Sequence, residues 1–355
     1  MSFKVAYLHG RFGPHVMHGR LAKSLKAEFQ VIDKYKKWNE GTPSKPYLLY
    51  AWIFNAFAFK KPKQFNFFLV SGPHFSPIIM KFFRLRKDQK LIVHLGDETM
   101  YFLYTKWYGK LMQKTLVWLL NQYDALFCEG QMAADLAILN GVNKPKIFTT
   151  YLGVPVERQK QLLKLEHSYE NNNLIFISSG PSGWRTYYKG LDLMINAYAK
   201  AFKSAPSLSF TIVGDWEQDL QEELMINCSQ ECKNSIHFTG YTKKIDKYLS
   251  NASFYFHTSR GDAFPTVVLE GMSAGLIPLV SEWTGSKEVV GAVDRDFIVP
   301  IDEDLICNKL VELTKIPIPE RKLIAEKMRA KSKEFTEDFA INHYKKTFEK
   351  FISEV

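Results

Sequence analysis

Short apolar runs that end in glycine or a small polar residue, each followed by an amphipathic stretch, recur along this chain. In the first half "FKVAYLHG", "FNFFLVSG", "KLIVHLGD" and "DALFCEG" read as strands, with "GRLAKSLKAEF", "FSPIIMKFFRL", "KLMQKTLVWLLNQ" and "QMAADLAILNG" as the helices between them. "LEHSYENNN" (165–173) is polar and reads as a loop. The alternation then resumes with the strands "NLIFISSG", "SLSFTIVGD", "SIHFTGY" and "ASFYFHTS" and helices such as "QDLQEELMINCSQE". Strands this apolar have no polar face to offer water, so they belong in parallel sheets covered by helices on both sides. The expected class is α/β, doubly wound. A chain of 355 residues exceeds what one core usually supports. The Gly/Pro hinge "YLGVPVE" (151–157) divides it into an expected first domain, 1–155, and a second, 156–335. The last helical stretch, 336–355, is expected to pack back on the first domain, with a cleft between the two.

The net charge of +10 is unevenly spread. Residues 1–150 hold 22 Lys and Arg against 9 Asp and Glu, and the rest of the chain 25 against 28. The first half therefore faces something anionic. Three of its segments interleave cations with aromatics: "YAWIFNAFAFKKPKQF", "MKFFRLRKDQK" and "MYFLYTKWYGKLMQK". Such belts suit a membrane interface; core aromatics beside solvated charges are the plainer alternative. Charge alone would also suit nucleic acid, but the second half is near neutral and no nucleic-acid motif is present. The opening "MSFKVAYLHG" reads as a strand rather than a signal peptide, and "YLLYAWIFNAFAF" is too short to span a bilayer. Four scattered cysteines form no zinc pattern and suit a reduced, cytoplasmic setting.

Chemistry concentrates in the second half. "SSGPSGWRTYYKGLDLMINAY" (178–198) follows its first strand, with Gly180, then Arg185, then Lys189 at a helix start. Glycines let backbone N–H groups approach an anion, and Arg and Lys neutralise phosphate oxygens. Ordinary loop chemistry is the alternative for a Gly-rich turn. "FTIVGD" and "IHFTGY" put Gly214 and Gly240 at strand ends. "GDAFPTVVLEGMSAG" (261–275) sets Asp262 on a strand-to-helix loop and Glu270 about two turns into the helix. In an open parallel sheet ligands sit at the carboxyl ends of strands, which would bring both acids to one cleft; a solvated acid at each position is the alternative.

As a set, these residues resemble the retaining family-4 glycosyltransferases of GT-B fold, whose two Rossmann-like domains face across a cleft. The family pattern is close to "E-G-F-P-x-V-x-L-E-A-M-A-x-G-x-P-V"; this chain reads "DAFPTVVLEGMSAGLIPLV", with Asp262 one methylene shorter than the usual Glu. Arg185 and Lys189-Gly190, Val213-Gly214-Asp215 and Phe238-Thr239-Gly240 match further family segments. The first half matches through Phe12-Gly13 and Leu21-Ala22-Lys23-Ser24-Leu25, one Gly short of the family's loop.

The resemblance implies a nucleotide-sugar donor, UDP or GDP, as a substrate rather than a cofactor, with no metal. Glu270 would hold the ribose and Asp262 the transferred sugar. Arg185 and Lys189 would stabilise the leaving diphosphate, Gly13, Gly180, Gly214 and Gly240 would approach the donor, and backbone N–H groups of Ala263, Phe264 and Thr266 would bind the sugar. A first-half residue would complete the site, with His94 and Asp97 of "LIVHLGDE" as candidates and Gly96 at the family's His position by strand length. The acceptor implied is a polysaccharide, a glycan or a lipid-linked sugar at the inner face of a bacterial membrane. The alternative is a catalytically weak GT-B protein that binds a nucleotide sugar or a membrane partner.

Overall fold

The computed structural model describes residues 3–10, 13–14, 16–32, 45–96, 105, 109–178 and 184–355, with the backbone alone at 45–50 and 184–186. The chain forms two compact units, Met1–Tyr151 with Ala340–Val355, and Leu152–Phe339.

In the first unit β1 (Val5–His9), β2 (Glu28–Val31), β3 (Phe67–Ser71), β4 (Lys90–Leu95), β5 (Ala125–Glu129) and β6 (Ile147–Thr150) make one sheet in the order β2-β1-β3-β4-β5-β6. Every pairing is parallel. β1 and β5 are buried at all five positions, as strands covered on both faces must be. β2 and β6 escape the sequence reading because they are short and partly polar. The stretch read as one helix, "GRLAKSLKAEF", instead ends its helix at Ser24, turns through Lys26 at φ 56° and enters β2 at Glu28.

The helix Glu337–Glu354 covers this sheet from Ala340 onward. Tyr344, Phe348 and Phe351 fall on one helical face by their spacing. Phe348 meets Phe67 edge-on at 5.1 Å, and Phe351 meets Phe148 at 5.8 Å. Burying each such ring contributes about 2–3 kcal/mol.

Lys45–Ala58 and Phe75–Arg84 form neighbouring helices, joined by the stacked rings of Trp52 and Phe75 at 4.4 Å. Arg84 donates to the carbonyls of Ala56, Phe57 and Phe59, satisfying the end of the first helix. Phe57, Phe82 and Phe83 remain 53%, 61% and 72% exposed, beside Lys61, Lys63 and Arg86 around one shallow basin.

In the second unit β7 (Asn172–Ile177), β8 (Leu208–Val213), β9 (Ile236–Phe238), β10 (Phe254–His257), β11 (Ile277–Ser281) and β12 (Ile298–Val299) run parallel in the order β12-β11-β10-β7-β8-β9. The winding reverses between β7 and β10, and in the first sheet between β1 and β3. A crevice opens at the carboxyl ends of such neighbours, because their connections leave in opposite directions. The expected single helix "QDLQEELMINCSQE" is two, Gln218–Leu224 and Gln230–Asn234, since Ser229 caps the second by accepting from the Cys232 N–H.

Candidate active site

The loop after β10 carries the first acid. It leaves the strand at His257, passes Asp262 and enters the helix Thr266–Ala274 behind Pro265, a helix that Gly275 ends at φ 98°. Packing determines its path. The Gly285 N–H donates to the Asp262 carbonyl at 2.7 Å, and a Cβ on Gly285 would stand 1.4 Å from the Ala263 oxygen. Ser259 and Thr284 share a hydroxyl bond of 2.8 Å, and Thr284 donates to the His257 carbonyl at 3.0 Å. Arg260 grips Asp192 with two bonds of 2.7 and 2.8 Å and lies over the Tyr187 ring.

Asp262 is only 4% exposed. Its Oδ2 accepts from Lys189 Nζ and, at 3.1 Å, from His257 Nε2. Burial by itself would raise this carboxyl; the Lys189 charge and the His257 bond outweigh it and hold the group well below the ordinary aspartate range. Burial works against the Lys189 ammonium, and the Asp262 charge reverses that and raises it above the lysine range. Gly190, at φ 74°, lets the Lys189 turn lie against β10: a Cβ there would meet the Thr258 oxygen at 2.4 Å.

Glu270 sits on the helix as expected, with a partner the sequence did not disclose. Its Oε2 accepts from Arg158 Nε at 3.2 Å, and Arg158 also pairs with Asp246 at 2.6 Å. Burial raises the Glu270 carboxyl, and Arg158 offsets part of the rise. Gly271 lets this helix rest on β10, since a Cβ would lie 2.8 Å from the Tyr255 ring.

Gly214 donates to the Gly240 carbonyl at 3.2 Å, so those strand ends are adjacent, and Gly214 passes so close to Ser178 that a Cβ would stand 1.9 Å from its oxygen. Around Gly240 (φ 68°) the space is open. Ala263 and Phe264 are buried, and Thr266 opens the helix half-buried. Gly180 and Asp97 lie outside the described residues, as does the side chain of Arg185.

The first unit places Gly13 in a left-handed turn beyond β1, its N–H on the Gly10 carbonyl, with open space about it. His94 is 2% exposed, and its Nε2 lies 2.6 Å from the Tyr344 hydroxyl. Gly96 abuts Glu129, whose carboxylate pairs with His18. His18 also approaches the Ser71 hydroxyl at 3.4 Å. Sequence reading missed His18, Glu129, Arg158 and His257. A polar residue closing an apolar strand was the one available signal, for Glu129 and His257 alike. Among the described residues no group of three or more His, Cys, Asp or Glu is placed to hold a metal ion.

Two doubly wound parallel units, with a buried acid–lysine pair at one switch point, define a protein of the GT-B class. Solved structures agree on the fold. Anabaena HepE in complex with UDP and glucose gives a TM-score of 0.69 at 15% identity over 99% of this chain and 100% of that one. An E. coli trehalose-6-phosphate structure bound with UDP-2-fluoro glucose gives 0.70 at 12% identity over 99% of both chains. Residues 157–331, within the second unit, match the model of the family Glycosyl transferases group 1. The gpi3 subunit of phosphatidylinositol N-acetylglucosaminyltransferase from Schizosaccharomyces pombe is 24% identical over 198 residues, 54% of this chain and 41% of that protein. This chain thus spans well under half the length of that relative. An uncharacterized 41.2 kDa protein in the cps region of Klebsiella pneumoniae is 24% identical over 305 residues, 83% of this chain and 74% of that one.

Proposed function

We propose that the protein is a retaining glycosyltransferase that moves a hexosyl unit from a UDP- or GDP-sugar to a glycan or lipid-linked acceptor. The observation that carries this reading is the ionised Asp262, buried against Lys189 at the β7/β10 switch point, with Glu270 on the following helix. Lys189 bonds Asp262 and lies beside Tyr188, and its charge and remaining N–H suit the leaving diphosphate. The Glu270 oxygen not held by Arg158 suits a ribose hydroxyl. Asp262 takes the sugar, and the leaving diphosphate serves as base, so no side-chain base is assigned. Arg185 and the glycines at 13, 180, 214 and 240 keep the donor roles given above, with backbone N–H groups of Ala263, Phe264 and Thr266 on the sugar and His94 or Asp97 completing the site. The UDP bound to HepE and the UDP-2-fluoro glucose bound to the E. coli structure support UDP first among donors. With two cations on the phosphates, transfer is proposed to need no metal, and activity is expected to survive EDTA unchanged.

The acceptor side belongs to the basic first unit. No described helix is long and apolar enough to cross a membrane. The exposed Phe57, Phe82 and Phe83 beside their cations suit an anionic bilayer surface, which attracts by about 1 kcal/mol per cation. A peripheral position on the cytoplasmic face of a bacterial plasma membrane is part of this proposal, supported by that surface.

Thermal stabilisation by a panel of UDP-, GDP-, ADP- and dTDP-sugars, followed by hydrolysis assays on whichever binds, tests the reading. Stabilisation with turnover by one nucleotide series is expected. Stabilisation with no turnover, by any lipid or glycan acceptor or by water, would leave a nucleotide-sugar-binding protein; no stabilisation by any donor overturns the reading.

A further inference from the structure

The Asp262 carboxylate accepts from two side chains, and the proposed function uses only one of them. The other, His257, is fully buried at the end of β10. Its ring stands 5.4 Å from that of Phe176 and stacks near Tyr255 at 6.2 Å, with planes 15° apart. The imidazole therefore has one orientation. Both bonds that Asp262 accepts from side chains fall on Oδ2.

We propose that His257 is a positioning residue for sugar transfer: its Nε2–H aims the Asp262 carboxylate so that Oδ1 is the oxygen presented to the donor sugar. The inference rests on the glycosyltransferase reading above. Lysine cannot do this task alone, because an ammonium on a four-carbon stem supplies charge with little direction. A ring N–H locked by packing supplies direction without adding charge. The protonation state follows from the other nitrogen. His257 Nδ1 is buried and has no hydrogen-bond partner. A proton there would be a buried donor with nothing to bond, so the ring carries its single proton on Nε2, toward Asp262. Burial agrees, since it favours the neutral ring over the charged one.

The test compares His257→Leu, which fills the space without a donor, with His257→Gln, whose amide N–H replaces Nε2–H. The probes are UDP for binding and, for hydrolysis, the nucleotide sugar that the wild type turns over. In His257→Leu kcat is expected to fall about tenfold to a hundredfold, with KM and UDP affinity within about twofold of wild type. His257→Gln is expected to recover most of the loss at an equal melting temperature. Wild-type kcat in His257→Leu overturns the inference alone, as does a Gln variant that falls as far as the Leu variant. A wild type that turns over none of the nucleotide sugars overturns the inference together with the function it rests on.

Discussion

Asp262 links stability to pH through a sign that can be worked out. Its folded-state pKa lies below the 3.8 of an unperturbed aspartate, so between those two values the unfolded chain binds the extra proton. Its contribution to stability is complete above pH 3.8 and is lost as pH falls through the folded value. Urea unfolding across the acid range is expected to show that loss, and Asp262→Asn to remove it. At neutral pH the same substitution leaves Lys189 without its counter-charge and is expected to cost about 3 kcal/mol. Gly190→Ala probes the backbone instead: the left-handed turn and the 2.4 Å approach to Thr258 leave no room for a methyl. Expression as insoluble protein, or a melting temperature lower by about 6–12 °C for a loss of about 3 kcal/mol, is the expected outcome.

Elements differ in how plainly they are written in the chain. Parallel strands buried on both faces are unbroken apolar runs, so β1, β3, β4 and β5 stand out, while β2 shows only one exposed and three half-buried positions and looks like the end of a helix. The helix after Pro265, with its stop at Gly275, was legible because proline and glycine act locally. Pairings across long separations were not. Asp262 and Lys189 could each be marked as chemistry, but their bond spans 73 positions. Arg158 carries no local signal, because the Glu270 it meets lies 112 positions away. The helices Lys45–Ala58 and Phe75–Arg84 carry a prediction of their own. Phe82→Ser with Phe83→Ser is expected to abolish co-sedimentation with phosphatidylglycerol-containing vesicles and leave UDP binding intact. Wild-type protein should bind neutral vesicles poorly and release anionic ones as salt rises. Equal binding to both vesicle types would count against the surface.

For the whole molecule, the division of the chain matters more than its length. The second unit is one continuous stretch, Leu152–Phe339, whereas the first needs two separate ones. Residues 152–339 made alone are therefore expected to fold cooperatively and to bind UDP. A chain stopped at 339 should keep that transition and lose the cooperative unfolding of the first unit, because Tyr344, Phe348 and Phe351 would be missing from its sheet. Phe348→Ala in the full chain is a milder version, expected to cost about 3–4 kcal/mol in the first unit's transition alone. The returning helix also sets a timetable. A ribosome adding roughly 5–20 residues per second must complete all of Leu152–Phe339 before the last strip of the first core emerges. For about ten to forty seconds of synthesis the sheet that was made first waits with the strip over Phe67, His94 and Phe148 uncovered, so the part of the chain that leaves the tunnel earliest is the part whose core closes last.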